Sequence, residues 1–392
     1  MGAVLDHLYL DWAATAPLSR EARDAMAPYL AGDFGNPSSL HAAGRRTRLA
    51  VEAAREQVAA AIGAQPAEVI FTSGATEADN LALLGAVRAS TRRHVVVSAV
   101  EHPAILRAAE WLEREGYEVS RVAPDRKGFV HAAEVGAAIR DDTALVALMA
   151  VNNETGVVQP VAEVAALAHA AGALMLCDAV QALGTRPISV REWNVDLLSL
   201  SSHKVGGPQG AGALYCRSGV DLAPLLMGGE QERGRRGGTE NVPAIVGMGA
   251  AVAAAVAEPE ARTARLVDVL RAVEYGVLTS VLDILVVGVG TTRVPNITCV
   301  QFEEADAETL LAALDMAGVA ASSGSACSSH TMEASHVLLA MGMSETEARA
   351  CVRFSWGPTT RAEDIGRLLN PLPELVARSR EAARRRREKV AL

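Results

Sequence analysis

Residues 69–115 read VIFTSGATEADNLALLGAVRASTRRHVVVSAVEHPAILRAAEWLERE. Two short apolar runs, Val69–Thr72 and His94–Ala99, alternate with two stretches of helical periodicity, Thr76–Ala89 and Ala104–Glu115. The apolar runs are continuous, which is typical of strands buried on both faces of a parallel sheet. This stretch therefore predicts two β-α units of a sheet that is covered by helices on both sides.

The same alternation continues as far as Cys216 and predicts one large α/β domain with a mostly parallel sheet. In such open sheets, ligands bind beyond the carboxyl ends of the strands. The other elements predicted in this part are strands at Leu145–Val151, Leu174–Cys177, Leu197–Ser201 and Ala213–Cys216 and a helix at Val161–Ala170.

A second, smaller domain is expected after the segment Ala257–Arg262, where Glu-Pro-Glu interrupts a long helical pattern and predicts a hinge. Beyond it the elements indicate an α+β domain. We expect a large domain over residues 15–257 and a small domain formed by residues 1–14 and 258–392. The first 60 residues are expected to pack against the small domain or a partner subunit. The later predicted elements are helices at Arg265–Leu278 and Ala307–Ala317, strands near Val281–Val287, Asn296–Phe302 and Val352–Ser355, and a final helix.

Composition narrows the class of protein. Half of the 392 residues are hydrophobic, so the chain can bury a large core, and the net charge of -9 gives no electrostatic reason to bind nucleic acid or an anionic membrane. The apolar stretch Val246–Val256 is far shorter than the roughly 20 residues of a membrane span, and no secretory signal is recognised. We therefore expect a cytoplasmic protein with no membrane partner. The five cysteines form no CxxC pair, so neither a disulfide framework nor a metal site is expected.

The turn Thr72-Ser73-Gly74-Ala75-Thr76-Glu77 links a buried strand to a helix. The first turn of a helix exposes unpaired N–H groups and a partial positive charge, which suit a phosphate group. The alternative is a structural capping box, in which Thr or Ser caps the helix and Glu follows three residues later.

Two polar residues follow other apolar runs. Asp178 could keep a pyridinium nitrogen protonated, which makes pyridoxal phosphate (PLP) an electron sink, although it could equally be a helix N-cap. Lys204 follows Ser201-Ser202-His203 and could form a Schiff base, or could be a surface lysine. Cys327 lies in a stretch of small residues beside His330 and is a candidate nucleophile or an ordinary loop cysteine.

In their order and spacing, these motifs resemble the cysteine desulfurases of the NifS/IscS group. These belong to the class V aminotransferase superfamily of fold-type I PLP enzymes. The resemblance covers residues 8 to 368, and it implies a large domain with a mostly parallel, seven-stranded sheet plus a smaller α+β domain. The matching strings are LDWAATAP (10–17), FGNPSS (34–39), FTSGATEADN (71–80), EH (101–102), VNNETGVV (151–158), CDAVQ (177–181), SSHK (201–204), QERGRRGGTEN (231–241), SSGSAC (322–327) and VRFS (352–355).

The resemblance implies a role for each matching residue at the cofactor. Lys204 would carry PLP, Asp178 would pair with the pyridine nitrogen, and Gln181 would bind the ring hydroxyl. Asn153 would lie at both the cofactor and the substrate. The phosphate would contact Ala75, Thr76, Ser201 and His203, together with Thr239 of the other subunit of a homodimer.

The resemblance also implies the reaction. L-cysteine would be the substrate, with His102 stacked on the ring and serving in proton transfer, and Arg353 binding the carboxylate. Cys327 would take the sulfur as a persulfide, leaving alanine, and would pass the sulfur to an acceptor protein such as an iron–sulfur scaffold. The alternatives are a selenocysteine lyase or another class V PLP enzyme, although an aminotransferase has no use for a thiol in the SSGSAC context.

Overall fold

The computed structural model describes residues 7–323 and 334–390 of the chain. The strands are β1 (Leu8–Tyr9), β2 (Val69–Thr72), β3 (His94–Ser98), β4 (Glu118–Val122), β5 (Thr143–Ala147), β6 (Leu174–Asp178), β7 (Leu197–Ser201), β8 (Gly212–Cys216), β9 (Ile284–Val286), β10 (Ile297–Phe302), β11 (Val319–Ala320) and β12 (Cys351–Ser355). The α-helices are α1 (Arg20–Ala31), α2 (Ala42–Ile62), α3 (Ala75–Arg88), α4 (Pro103–Arg114), α5 (Ala132–Ala138), α6 (Val161–Ala170), α7 (Val242–Val256), α8 (Pro259–Ser280), α9 (Ala307–Met316), α10 (His336–Ala340), α11 (Glu345–Ala348), α12 (Gly366–Leu369) and α13 (Leu372–Val390).

A seven-stranded sheet with the order β2-β8-β7-β6-β5-β3-β4 forms the centre of the fold. The strands from β7 to β4 are parallel, whereas β8 runs antiparallel to both β7 and β2. The predicted mostly parallel α/β sheet is therefore confirmed. The sequence patterns did not reveal the edge strand β4, because its residues are mostly polar or partly exposed.

Helices cover both faces of this sheet, and alternate strand residues point to opposite faces. Val96 of β3 belongs to a core with residues of α2, α6 and α7, whereas Val95 and Val97 belong to a core with residues of α3 and α4. This arrangement buries every strand residue of β3 and explains why its sequence is a continuous apolar run.

A second unit is built on the antiparallel sheet β12-β10-β9. Its core contains apolar residues of α8, α9 and α13 together with Leu8 and Leu10. Of the first 60 residues, Leu8 and Leu10 pack in this unit, whereas α1 and α2 lie against α7 of the large sheet's core; a contact with a partner subunit stays a prediction. The reason is that the apolar side of α2, including Val51 and Val58, is buried there. The boundaries of the two domains stay a prediction.

The predicted interruption near Glu-Pro-Glu is a break between α7 and α8, which are bent by 78° relative to each other. Pro259 is the first residue of α8, where its missing N–H leaves no helical bond unmade. In the described part of the chain, no single helix is long and apolar enough to span a membrane; α7 and α8 reach that length only as this bent pair.

Candidate active site

A cavity of about 620 Å³ opens beyond the carboxyl ends of the parallel strands, where open α/β sheets bind their ligands. Its wall contains every predicted site residue except Thr239 and Cys327, namely Ala75, Thr76, His102, Asn153, Asp178, Gln181, Ser201, His203, Lys204 and Arg353. Thr239 is exposed and is not part of this wall, and Cys327 lies outside the described residues. The fold thus brings together predicted site residues that are up to 278 positions apart in the sequence, from Ala75 to Arg353.

The start of α3 lies in the cavity wall, and its backbone can be approached closely by other groups. Gly74 is the N-cap of α3 and makes no side-chain cap bond, while Glu77 Oε2 accepts from the Ser73 N–H at 2.8 Å. The predicted capping box is therefore only partly formed, because no Ser or Thr side chain caps the helix. A Cβ atom on Gly212 of β8 would lie 2.5 Å from the Gly74 carbonyl carbon. The first turn of α3 can therefore present its N–H groups and dipole to an anion.

Asp178 ends β6 inside the cavity wall and is buried. Its Oδ1 accepts from the Val180 N–H at 2.9 Å, but no α-helix begins at this residue, so the N-cap alternative is wrong. Burial raises the pKa of Asp178, while the charges of His102 and Lys204 oppose that rise. A cationic group beside this carboxyl would stabilise its ionised form.

Asp79 is a second buried acid in the wall, and it is not among the predicted site residues. Neither of its carboxyl oxygens has a hydrogen-bond partner among the described residues. Burial, reinforced by the charge of Asp178, holds its pKa well above the usual range. The available signal was an acid on the apolar face of α3, since Asp79 stands between Ala78 and Leu81, which are both buried.

Lys204 lies in the short turn that follows β7, and its Nζ donates to the carbonyl oxygens of Ala13 at 2.6 Å and Ala14 at 2.8 Å. The alternative of a surface lysine is therefore wrong. The neighbouring His203 shares a hydrogen between Nδ1 and Thr15 Oγ1 over 3.0 Å. Burial, with the charge of Lys204, lowers the pKa of His203 to about 4, so its ring is neutral at pH 7.

His102 is the N-cap of α4, and its Nδ1 accepts from the Ala104 N–H at 3.1 Å. Burial lowers its pKa, with Asp178 opposing the change. A neutral ring whose Nδ1 accepts this bond carries its proton on Nε2. His102 is thus a flat, neutral ring with one N–H donor.

Arg353 of β12 also lines the cavity, and its side chain is buried. Its Nη2 donates to Asp11 Oδ1 at 2.8 Å and its Nη1 donates to the Asn153 carbonyl at 3.0 Å. Its Nε is buried and has no partner in the described part of the chain. Because Arg353 lines the cavity and keeps further N–H donors, its guanidinium suits a carboxylate that enters there.

The N-terminal segment Asp11–Thr15 contributes more to the site than its sequence indicated. Besides holding Lys204, the Ala13 carbonyl accepts from Gln181 Nε2 at 2.9 Å, and Asp11 contacts Arg353. In the sequence, this string is recognisable only as part of the resemblance, which implies no site role for it. Backbone carbonyls carry no side-chain signature, so only the acid Asp11 offered a signal.

The comparisons with known proteins agree with this geometry. The model of the aminotransferase class-V family matches residues 8–368. The chain is 47% identical over 375 residues to a cysteine desulfurase of Cereibacter sphaeroides, covering 95% of this chain and 96% of the relative. It is 42% identical over 375 residues to the cysteine desulfurase IscS of Dictyoglomus turgidum, covering 95% of both. A solved structure titled NifS-like protein superposes with a TM-score of 0.88 at 33% identity, covering 95% of this chain and 99% of that one.

Proposed function

This chain belongs to the aminotransferase class-V family and to the cysteine desulfurases within it, and from that premise we propose that its cavity takes the sulfur of L-cysteine onto Cys327. The C–S bond of the substrate breaks and an S–S bond forms, giving L-alanine and a persulfide. Of the two thiol hydrogens, one ends on the alanine methyl group and one on the persulfide, so no outside oxidant or reductant is consumed. The observation that carries the proposal is the convergence of Lys204, Asp178, His102 and Arg353 on one cavity.

Enzymes of this family depend on PLP, and the residues of the cavity suit that group. An amine, Lys204, a buried carboxyl, Asp178, and the open helix start at Gly74 lie on one wall, and they match the aldehyde, the pyridine nitrogen and the phosphate. Gln181 would contact the ring hydroxyl, while Thr76, Ser201 and His203 would complete the phosphate site. When bound, PLP supplies a sink for the electrons left on the α-carbon of an amino acid after its proton is removed.

Side chains of the cavity would carry out the proton transfer and hold the substrate. Lys204 Nζ, held by two carbonyl oxygens, is placed to take the α-proton of the substrate. The neutral ring of His102 offers a flat face and an Nε2–H donor, because burial lowers its pKa. The guanidinium of Arg353, fixed by Asp11 and the Asn153 carbonyl, is suited to hold the substrate carboxylate with its remaining N–H donors. Together these groups would orient an α-amino acid between the proton acceptor Lys204 and the fixed cation Arg353.

The chain on both sides of Cys327 is anchored at this cavity. Ser322 forms a bridge with Arg353 through two backbone bonds, of 3.2 and 2.7 Å. On the other side, Ser335 donates to Glu154 Oε2 at 2.5 Å, and Glu154 follows Asn153 in the chain. In the sequence, Cys327 is five residues beyond Ser322 and eight residues before Ser335, so it stands between two positions that are held beside cavity residues.

The other cysteines are unsuited to the nucleophilic role. Cys177, Cys216, Cys299 and Cys351 all lie on strands and are buried, and none of them lines the cavity. Burial raises the pKa of Cys177 and of Cys216, which disfavours the reactive thiolate. This supports Cys327 as the sulfur carrier, which would then deliver sulfur to an acceptor protein such as an iron–sulfur scaffold.

A homodimer would complete the site. Thr239 is exposed and lies outside the cavity of its own chain, as expected if it reaches the phosphate site of a partner subunit. Large apolar side chains are exposed as well: Phe34 is 79%, Leu40 81% and Met227 86% exposed. Such exposure is typical of a covered interface. The cytoplasmic location expected from the composition stays a prediction.

The proposal is tested by comparing the holoenzyme with its Cys327→Ser variant. Wild type given L-cysteine without reductant should gain one sulfur on the Cys327 peptide, as shown by mass spectrometry, and none on the four strand cysteines, which are internal controls. The variant should bind PLP and L-cysteine but form neither persulfide nor alanine, because a serine hydroxyl is not ionised near neutral pH. A variant that keeps full alanine production would overturn the mechanism. A variant that instead cleaves only selenocysteine would identify a selenocysteine lyase activity.

A further inference from the structure

Asp11 is an acidic residue that contacts a proposed substrate-binding group although nothing in the reaction requires it. Its Oδ1 accepts from Arg353 Nη2 at 2.8 Å, and the Arg353 side chain is only 3% exposed. The second contact of that guanidinium is the Asn153 carbonyl at 3.0 Å. The arginine is therefore fixed from two sides before any substrate arrives.

The backbone of Asp11 is itself held in place by strand β12. Asp11 and Ser355 form a parallel bridge, with the Ser355 N–H donating to the Leu10 carbonyl at 2.8 Å and the Trp12 N–H donating to the Ser355 carbonyl at 3.3 Å. The Ala13 N–H donates in addition to Ser355 Oγ at 2.9 Å. Because Arg353 lies two residues before Ser355 on the same strand, the carboxylate and the guanidinium are set by one stretch of sheet.

The remaining donors of Arg353 define what this fixation achieves. A guanidinium has five N–H donors, and the bonds to Asp11 and Asn153 use two of them. Its Nε is buried without a partner among the described residues, and the residue as a whole lines the cavity. Arginine binds carboxylates best through two parallel N–H···O bonds in a fixed fork. Rotation of the guanidinium about its long side chain would misdirect that fork.

Charge favours the same arrangement. A buried guanidinium without a counter-ion is strongly unfavourable, and Asp11 supplies the counter-ion while the cavity contains no substrate. The neighbouring carbonyls of Ala13 and Ala14 hold Lys204. One short segment thus contacts the groups proposed for the carboxylate end and for the α-carbon of the substrate.

We propose that Asp11 is a positioning residue that holds Arg353 in the orientation that selects substrates with an α-carboxylate. The proposal rests on the proposed function, because it takes Arg353 as the group that binds the substrate carboxylate. Asp11 acts through Arg353 and contacts neither the substrate nor the cofactor.

The test compares L-cysteine with cysteamine, which is the same molecule without its carboxylate. The holoenzymes of wild type, Asp11→Ala, Arg353→Ala and the double variant are mixed rapidly with each ligand, and binding is followed by the absorption of bound PLP before turnover. Asp11→Ala should weaken L-cysteine binding about 30-fold, which is the roughly 2 kcal/mol of arginine rotamer entropy converted at 1.4 kcal/mol per tenfold. Its affinity for cysteamine should not change, and KM for L-cysteine should rise with little change in kcat.

The double variant separates a positioning role from a structural one. If Asp11 acts through Arg353, Asp11→Ala adds nothing to Arg353→Ala; additive losses would overturn the inference. Asp11→Asn keeps the acceptor oxygen and should give a smaller loss of L-cysteine affinity. Should Asp11→Ala fail to fold, an unchanged preference in Asp11→Asn overturns the inference. A wild type that does not prefer L-cysteine would remove the proposed role of Arg353 as well, whereas a preference kept in Asp11→Ala removes the inference alone.

Discussion

Glu101 should make the stability of this protein depend on pH, and replacing it with glutamine should remove that dependence. Its Oε1 accepts from Ser98 Oγ at 2.5 Å and from the Met149 N–H at 2.8 Å, while its Oε2 is buried without a partner in the described ranges. Burial raises the pKa of Glu101 from 4.5 to about 8, and the charge of Asp178 adds to the rise. A glutamine at this position mimics the protonated carboxyl and keeps the acceptor oxygen.

The sign follows from the proton count of the two states. The pKa is raised on folding, so the stabilisation is complete below pH 4.5 and is lost as the pH rises toward 8, because the unfolded chain releases the proton first. At 1.36 kcal/mol per pKa unit, the full loss is about 5 kcal/mol. Between pH 6.5 and pH 8.5, the Glu101→Gln variant should gain about 2 kcal/mol relative to wild type.

Urea unfolding of the two apoproteins at these pH values, followed by circular dichroism, measures the difference. Solubility is lowest near the isoelectric point of about 5.6, and both pH values lie above it. The matched control is Glu163→Gln, the same substitution on an exposed side chain of α6. If the free-energy gap between wild type and Glu101→Gln is equal at both pH values, Glu101 is ionised in the folded protein and the reasoning is refuted.

Three further outcomes are expected. After borohydride reduction of the holoenzyme, mass spectrometry should find phosphopyridoxyl on the Lys204 peptide, and Lys204→Ala should lose both the label and turnover; label on another lysine would contradict the assignment. Gly212→Ala should weaken PLP binding by about 1–3 kcal/mol, measured by fluorescence titration, because its Cβ would lie 2.5 Å from the Gly74 carbonyl carbon. Gly366→Ala, whose Cβ would have no atom within 4 Å, should bind PLP as wild type does. Light scattering should find a homodimer. Thr239→Ala should weaken PLP binding while the protein stays a dimer, and an active monomer would refute the composite site.

The central sheet was predictable because a strand that is buried on both faces needs apolar residues at successive positions. The bounds of β2 and β7 match the predicted Val69–Thr72 and Leu197–Ser201. The same signal misled at Leu145–Val151, where the strand ends at Ala147. Residues 148–151 are equally buried, and Met149 and Val151 line the cavity, although the Ala150 N–H still donates to the Asp178 carbonyl of β6. Apolar character reports burial, not the hydrogen-bond ladder.

The residues of the candidate site were predictable where the chemistry requires a particular side chain. They were not predictable where backbone groups or long-range contacts form the site. Lys204 and Asp178 stand out because ionisable groups rarely end buried strands without a purpose. The carbonyl oxygens of Ala13 and Ala14, which hold Lys204, exist at every residue and leave no mark in the sequence. Asp11 was visible as an acid, but its partner Arg353 is 342 residues away. Only the fold brings such a pair together.

The raised pKa values of Asp79 and Glu101, two buried acids near Asp178, affect the charge that ligands meet in the cavity. The cations Lys204 and Arg353 face the acids Asp178 and Asp11. Asp79 and Glu101 are buried close to Asp178, and burial raises the pKa of each of them. If both were ionised, their charges would repel the phosphate of PLP and the carboxylate of an amino acid. Kept protonated, they let Lys204, Arg353 and the dipole of α3 determine the potential that these anions meet.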